Sequence, residues 1–317
     1  MQLVDRVDRW QQRHRAPAFV VAVVKKYGDD RGGQLAALIT YYGFLAMFPM
    51  LLVFVTVLGY VAHGDPGLRR DLLDTALADF PVVGQELRRN VGVLGGNGLA
   101  LAVGLLALVW GSLGVAQVAQ HAMAQVWNVP GPRRPGFVPR LVRSLLVLAV
   151  LAVAVVGTVV LTSVATLVPG GSVVPVLSAL LVVLLNVFLY WLAFRVLTPR
   201  EVPTRDLLPG AVLGGIAWTA LQAVGSWLVA RQLRHASELY GTFGVVLGLL
   251  FFLYLASQIM VYAAEVNVVR ARRLVPRSFA PPPLTDADEV VLSDIAEAEQ
   301  RRPEQEVAVT FEREDAS

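Results

Sequence analysis

The sequence predicts an all-α, polytopic transmembrane helix bundle of about six spans. Three observations carry that expectation. Hydrophobic residues make up 56% of the 317-residue chain and charged residues only 16%, whereas soluble domains carry about 25% charged residues. The charges collect at the two ends and in short intervening segments. Between them run uncharged stretches long enough to cross a bilayer, which takes about 20 apolar residues.

Residues 1–34 read as a cytoplasmic or interfacial N-terminal segment. Leu3, Val7 and Trp10 recur at helical spacing opposite several arginines, and the apolar run from Phe19 to Val24 is too short to span. An amphipathic N-terminal elbow helix is therefore expected. The first span covers 35–61, with Pro49 near its middle as the natural kink. Residues 65–90 are charged and amphipathic, with Leu68, Leu72, Leu73, Ala76 and Leu77 on one face, as an extracytoplasmic segment lying on the membrane would be. Gly95, Gly96 and Gly98 break the chain before a second span at 99–118, which runs on as a polar helix through Gln120, His121 and Trp127.

Spans three and four, at 144–168 and 174–194, are separated mainly by Pro169, Gly170, Gly171 and Ser172, which implies an antiparallel hairpin. Spans five and six fall at 207–230 and 239–269, so the membrane domain covers 35–273. From Pro281 onward acidic residues outnumber basic ones 11 to 3. Such a composition offers little apolar burial against ordering entropy, so 274–317 is expected to be a disordered acidic cytoplasmic tail.

Orientation follows from the lysines and arginines near the spans. Eighteen lie on the side that carries both termini and six on the other. The positive-inside rule then puts the N- and C-termini in the cytoplasm. The first 18 residues contain no apolar run and no small-residue cleavage site, so no signal peptide is expected.

Polar side chains inside spans point to function, because each must find a partner away from lipid. In span six, Gln258, Tyr262 and Glu265 share a face at i, i+4 and i+7, with Asn267 just beyond. Gln222 with Ser226, and Asn186 with Tyr190, are i, i+4 pairs in spans five and four, and Gln117, Gln120 and His121 end span two. The candidate polar cluster is thus Glu265, Asn267, Tyr262, Gln258, Gln222, Asn186, Gln117 and His121, at the cytoplasmic half. The plainer reading of the amides and hydroxyls is interhelical hydrogen bonding, at about 0.6 kcal/mol each. Glu265 needs a cation or a proton at that depth, and Arg195 and Arg270 are the candidate partners.

Gly210 with Gly214, and Gly244 with Gly248, have the spacing that lets helices approach closely. Tyr240, Gly241 and Gly244 open span six as a hinge or as ordinary interfacial capping, and Pro49 is the other candidate pivot. Catalytic signatures are absent: there is no H-E-x-x-H, G-x-S-x-G or Walker A sequence, no cysteine, and only four histidines. No catalytic residue, metal, cofactor or nucleic-acid partner is expected.

The chain carries, in order, QLAALITYYGFLAMFPMLLVFVTVLGY at 34–60, VWGSLGVAQVAQHAMAQVWNV at 109–129, RDLLPGAVLGGIAW at 205–218 and ELYGTFGVVLGLLFFLYLASQIMVYAAEVN at 238–267. This order of motifs resembles the YihY / virulence factor BrkB family, once described as ribonuclease BN. The resemblance covers roughly residues 20–273 and implies a six-span plasma-membrane protein of undefined activity, from whose core the acidic tail departs. No residue supports the ribonuclease label. The expected function is transport or flipping of a lipid or amphipathic solute, with membrane lipids as partners. The alternative is a non-catalytic scaffold for envelope assembly that holds envelope-protein partners. A cavity bordered by Gln117, Asn186, Gln222 and Glu265 would favour the first.

Overall fold

The computed structural model describes residues 2–61, 98–150, 173–198, 202–232, 241–279 and 283–311. The expected extracytoplasmic segment at 65–90 and most of span three, from 151, lie outside the described residues. Every regular element among those described is helical. They are α1 (Gln2–Arg13), α2 (Arg15–Asp29), α3 (Gly32–Val61) and α4 (Gly98–Val126), then α5 over 137–150. They continue with α6 (Val173–Leu197), α7 (Leu208–Gln232), α8 (Gly241–Ala271) and α9 (Asp286–Ala298).

Among the described residues, three helical stretches, Val176–Leu197, Thr204–Gly225 and Val246–Ala271, are long and apolar enough to cross a membrane, and Gly32–Phe48 is a shorter apolar helix. The α3 helix runs unbroken for 30 residues through Pro49 and α4 for 29, about 45 Å each at 1.5 Å per residue. Large apolar side chains face outward along these helices, among them Leu106, Trp110, Val176, Leu184 and Phe251. That inverted exposure suits lipid as the solvent.

Helix packing is set by small residues. A Cβ on Gly210 would lie 2.0 Å from the Ala263 carbonyl oxygen, and one on Gly215 would lie 2.6 Å from the Val187 backbone. Gly214 meets the Tyr190 ring in the same way. So α7 touches α8 and α6 at backbone distance through Gly210, as its spacing predicted, and through Gly215, while Gly214 meets side chains. Among the described residues, a Cβ on Gly244 or Gly248 would meet nothing within 4 Å.

One end of the bundle gathers the starts of α3 and α7 with the ends of α2, α4, α6 and α8. We call it the basal end. The chain leaves α4 and α8 through left-handed residues, Asn128 (φ 49°) and Arg273 (φ 57°). The amides that follow, of Val129 and Leu274, reach back to Ala124 O and Val269 O at 2.8 and 3.0 Å, which satisfies carbonyls at each helix end.

Two expectations change at this end. The N-terminal segment 1–34 is not merely interfacial, because α2 buries Ala18, Ala22, Val23 and Lys26, with Ala22 and Val23 in the bundle core. Nor is the acidic tail disordered over 286–298. There α9 opens on a capping box between Thr285 and Asp288 and buries Val291 completely. Charged composition was outweighed by a specific cap, one apolar stripe and basic partners already fixed on the bundle.

Those partners form a clasp. The Asp288 carboxylate accepts hydrogen bonds from Lys25 Nζ (2.8 Å), Arg277 Nε (2.8 Å), Ser278 N (3.0 Å) and Thr285 N (3.1 Å). Asp8 of α1 accepts from Gln11 Nε2 at 2.9 Å, Ser278 Oγ at 2.7 Å and Phe279 N at 3.2 Å. Further along, Arg272 pairs with Asp294 and donates to Trp127 O at 2.7 Å. The segment after α8 thus ties α1, α2, α4 and α9 together.

Burial alone would raise both carboxyls, but the hydrogen bonds outweigh it and hold Asp8 and Asp288 below the usual carboxylate range. Groups with depressed folded values stabilise above their unfolded pKa of about 3.9 and lose that contribution as pH falls through the folded value. Protease protection of 274–311 is therefore expected to be unchanged from pH 8 to about 5 and lost only in strong acid. Asp288→Ala, which leaves Arg277 buried without this partner, is expected to release the segment at neutral pH, read as new tryptic cleavage.

Candidate functional site: a buried triad of charge

The polar face of α8 is turned toward α2. At its outer end Thr40 Oγ1 of α3 donates to Ser257 Oγ at 3.2 Å. One residue on, Gln258 Nε2 donates to the Tyr27 hydroxyl at 3.4 Å. The Tyr27 ring then stacks on Tyr262, with centroids 3.9 Å apart and planes 5° from parallel. One turn deeper into the basal end, Glu265 faces Lys26.

Lys26, Asp30 and Glu265 have no side-chain exposure. The Lys26 ammonium pairs with Asp30 Oδ2, donates to the Val126 carbonyl at 3.2 Å, and stands 3.9 Å from Glu265 Oε2. Asn128 Nδ2 donates to Asp30 Oδ1 at 3.3 Å. Neither Glu265 oxygen has a hydrogen-bond donor among the described residues. Burial pushes the Asp30 carboxyl up, and the nearby Lys26 ammonium, the Glu265 carboxyl and the Asn128 amide draw it back only in part. Two carboxyls thus share one cation in a site closed to water.

Local structure places each group. Lys26 and Asp30 are one turn apart on α2, so both reach the same side. Asn128 takes the left-handed position after α4, which an Asn tolerates, and this turns its amide toward Asp30. The last turn of α2 is wired both ways: Lys25 and Asp29 reach Asp288 and Arg277 of the clasp, while Lys26 and Asp30 reach the triad.

The other predicted residues divide. Asn267 Oδ1 accepts from Gly210 N at 2.7 Å, capping the first turn of α7 from the neighbouring helix. Asn186 Nδ2 donates to Thr219 Oγ1 at 2.9 Å, tying α6 to α7. Gln222 is half-buried. Gln117 and His121 are exposed on the outward side of α4, so they do not join Glu265. It is Gln120 that turns inward, donating to Ser144 Oγ at 2.9 Å. The four residues expected to border a cavity therefore do not converge. Pro49 sits within continuous helix and Gly241 is the first residue of α8, their side-chain surroundings outside the described residues, as is Tyr240 altogether.

Glu265 is not partnered by Arg195 or Arg270, of which Arg270 is exposed. Its cation comes from α2, outside the predicted membrane domain. The signal was the run KKYGDD at 25–30, where lysines and aspartates pair at i, i+4. Among the described residues no group of three or more His, Asp or Glu could hold a metal ion.

Apolar spans, glycine-set helix contacts and a buried ionic site at one end define a polytopic helical membrane protein. The chain belongs to the virulence factor BrkB family, whose profile matches residues 23–286, from α2 to the start of α9. The inner membrane protein YhjD of Escherichia coli is 26% identical over 80% of this chain and 81% of its own length. An uncharacterised protein of Dickeya dadantii is 28% identical, covering 81% and 85%. A Bacillus subtilis protein named ribonuclease-like, YfkH, is 23% identical over 81% and 96%. No solved structure matches.

Proposed function

We propose that this protein moves a lipid or amphipathic solute across the inner membrane, with the Lys26–Asp30–Glu265 triad as its proton-responsive element and the basal end facing the cytoplasm. What supports this reading is the charge imbalance of the triad. Two carboxyls against one ammonium leave a net negative charge in a water-free site unless a proton is taken up. A group that gains and loses a proton there changes the stability of α8 packed on α2, and so can bias two arrangements of the bundle. The excess of lysine and arginine at this end supports the orientation.

The test is translocation of a fluorescent phospholipid in proteoliposomes with an imposed pH gradient. Wild type is expected to accelerate movement in a gradient-dependent way. Glu265→Gln, which keeps shape and removes the titration, is expected to slow it at least tenfold and abolish the dependence. Equal rates for wild type, Glu265→Gln and empty vesicles would end the proposal. The scaffold reading draws on the ordered clasp, which presents an acidic helix at the basal end. It predicts cross-linked partner proteins that are lost on removal of 281–317. A ribonuclease reading draws only on the name of YfkH.

A further inference from the structure

The outward side of α4 carries the least expected pattern in the molecule. Trp110, Gln117 and His121, at spacings of seven and four, share one face, and all three are exposed. Polar side chains on the outside of a membrane helix are costly against acyl chains. This stripe ends at a basic loop. Arg134 Nη1 lies 3.4 Å from His121 Nδ1, its Nε donates to Val129 O at 3.0 Å, and the charge of Arg140 also bears on this imidazole. Glu299, itself exposed, is the carboxylate that acts on Arg134. Among the described residues, the Arg140 guanidinium donates to Pro135 O at 3.2 Å.

Beside these cations stand two apolar side chains with no cover, Phe137 at 73% exposure and Val138 at 66%. They begin α5, at the level where α4 ends. Guanidinium groups with an apolar collar, at the rim of a helix bundle, match the two parts of a phospholipid: the phosphate and the first methylenes of its chains.

We propose that His121, Arg134 and Arg140, with the Gln117 stripe above them, form a binding site for the headgroup of an anionic phospholipid. The site lies on the exposed side of α4. Arginine forks hold the phosphate, Phe137 and Val138 meet the acyl chains, and Gln117 offers the headgroup a second polar station one turn further along α4. This rests on the proposed transport reading in one respect, since it names the class of lipid that the protein would carry.

Full-length protein in a neutral detergent, titrated with phosphatidylglycerol or phosphatidylcholine and weighed by native mass spectrometry, tests binding apart from movement. Wild type is expected to retain phosphatidylglycerol in preference. Arg134→Gln/Arg140→Gln is expected to weaken that retention about fivefold per guanidinium removed. Arg134→Lys/Arg140→Lys should keep most of it. His121→Ala, a change at an exposed position, should also weaken it and serves if the arginine variants do not fold. Equal retention of both lipids by wild type, or unchanged retention in the glutamine and alanine variants, would overturn the proposal. So would displacement of the lipid by inorganic phosphate alone, which would assign the cations to a free anion. Lipid movement that fails while headgroup preference persists would count against the transport reading and leave this site standing.

Discussion

Lys26→Met is expected to be the most damaging single change in this protein outside the glycine contacts. The side chain fits methionine in length, so packing is nearly kept while the ammonium is lost. Asp30 and Glu265 would then face each other fully buried with no cation between them. Removing one partner of a buried ion pair costs about 3–5 kcal/mol, because the charge left behind is uncompensated. Thermal unfolding in detergent should show a large drop in midpoint and lower yield from the membrane.

The loss has a predicted pH dependence. Burial raises Asp30, with Lys26 the chief opposing influence. A carboxyl whose folded pKa is raised binds its proton more tightly in the folded state. Its contribution is fully present below the unfolded value of about 3.9 and is lost as pH rises through the folded value. Without Lys26 that window moves up, so the variant should be closer to wild type at pH 5 than at pH 8. Neutralising the site as a whole, with Lys26→Met/Asp30→Asn/Glu265→Gln, should recover much of the stability, since buried ion pairs are often dispensable when no charge remains. Transport should not return with it, because the titrating groups are gone.

The second large effect is at Gly210. A methyl group there would overlap the Ala263 carbonyl and the Asn267 amide, at 2.0 and 2.6 Å. The carbonyl belongs to a long continuous helix and cannot step aside, and shifting Asn267 would strip the cap from the Gly210 amide. Overpacking of this kind costs about 1–3 kcal/mol and sometimes more, and the lost cap adds about 1 kcal/mol. Gly210→Ala is therefore expected to destabilise by about 3 kcal/mol or more, read as a lower melting midpoint. Gly248→Ala, where a Cβ meets nothing, is the matched control. It should be neutral, or stabilising by up to about 1 kcal/mol from helix propensity.

Hydropathy made the long helices legible, because crossing lipid forces both length and apolar composition on a segment. Helical spacing likewise grouped Gln258, Tyr262 and Glu265 correctly on one face of α8, and that face does look inward. Spacing could not say which neighbour it meets. Lys26 was hidden because lysines next to a span read equally well as surface charges that set orientation. Gln117 and His121 show the same limit from the other side: their shared face was plain, but it looks outward. The tail was misjudged for a different reason. Its acidic composition argued against order, while Thr285 and Asp288, three residues apart and just ahead of Val291, carried the capping signal that composition obscured.

The clasp gives the triad a route to the rest of the chain. Alternate residues in the last turn of α2 hold the C-terminal segment and the buried site, so a shift of α2 would be felt at both. This places the acidic tail next to the part of the molecule assigned to proton response, although the two are far apart in sequence.

The triad requires that Lys26 and Glu265 act on each other across 3.9 Å. A double-mutant cycle tests it: wild type, Lys26→Met, Glu265→Gln and the double variant, unfolded under one set of detergent conditions. Coupled neighbours in a buried network show interaction energies of about 0.5–3 kcal/mol, and this pair should give at least about 1 kcal/mol, with the double variant more stable than Lys26→Met alone. Additive losses, with no coupling between the two positions, would contradict the triad.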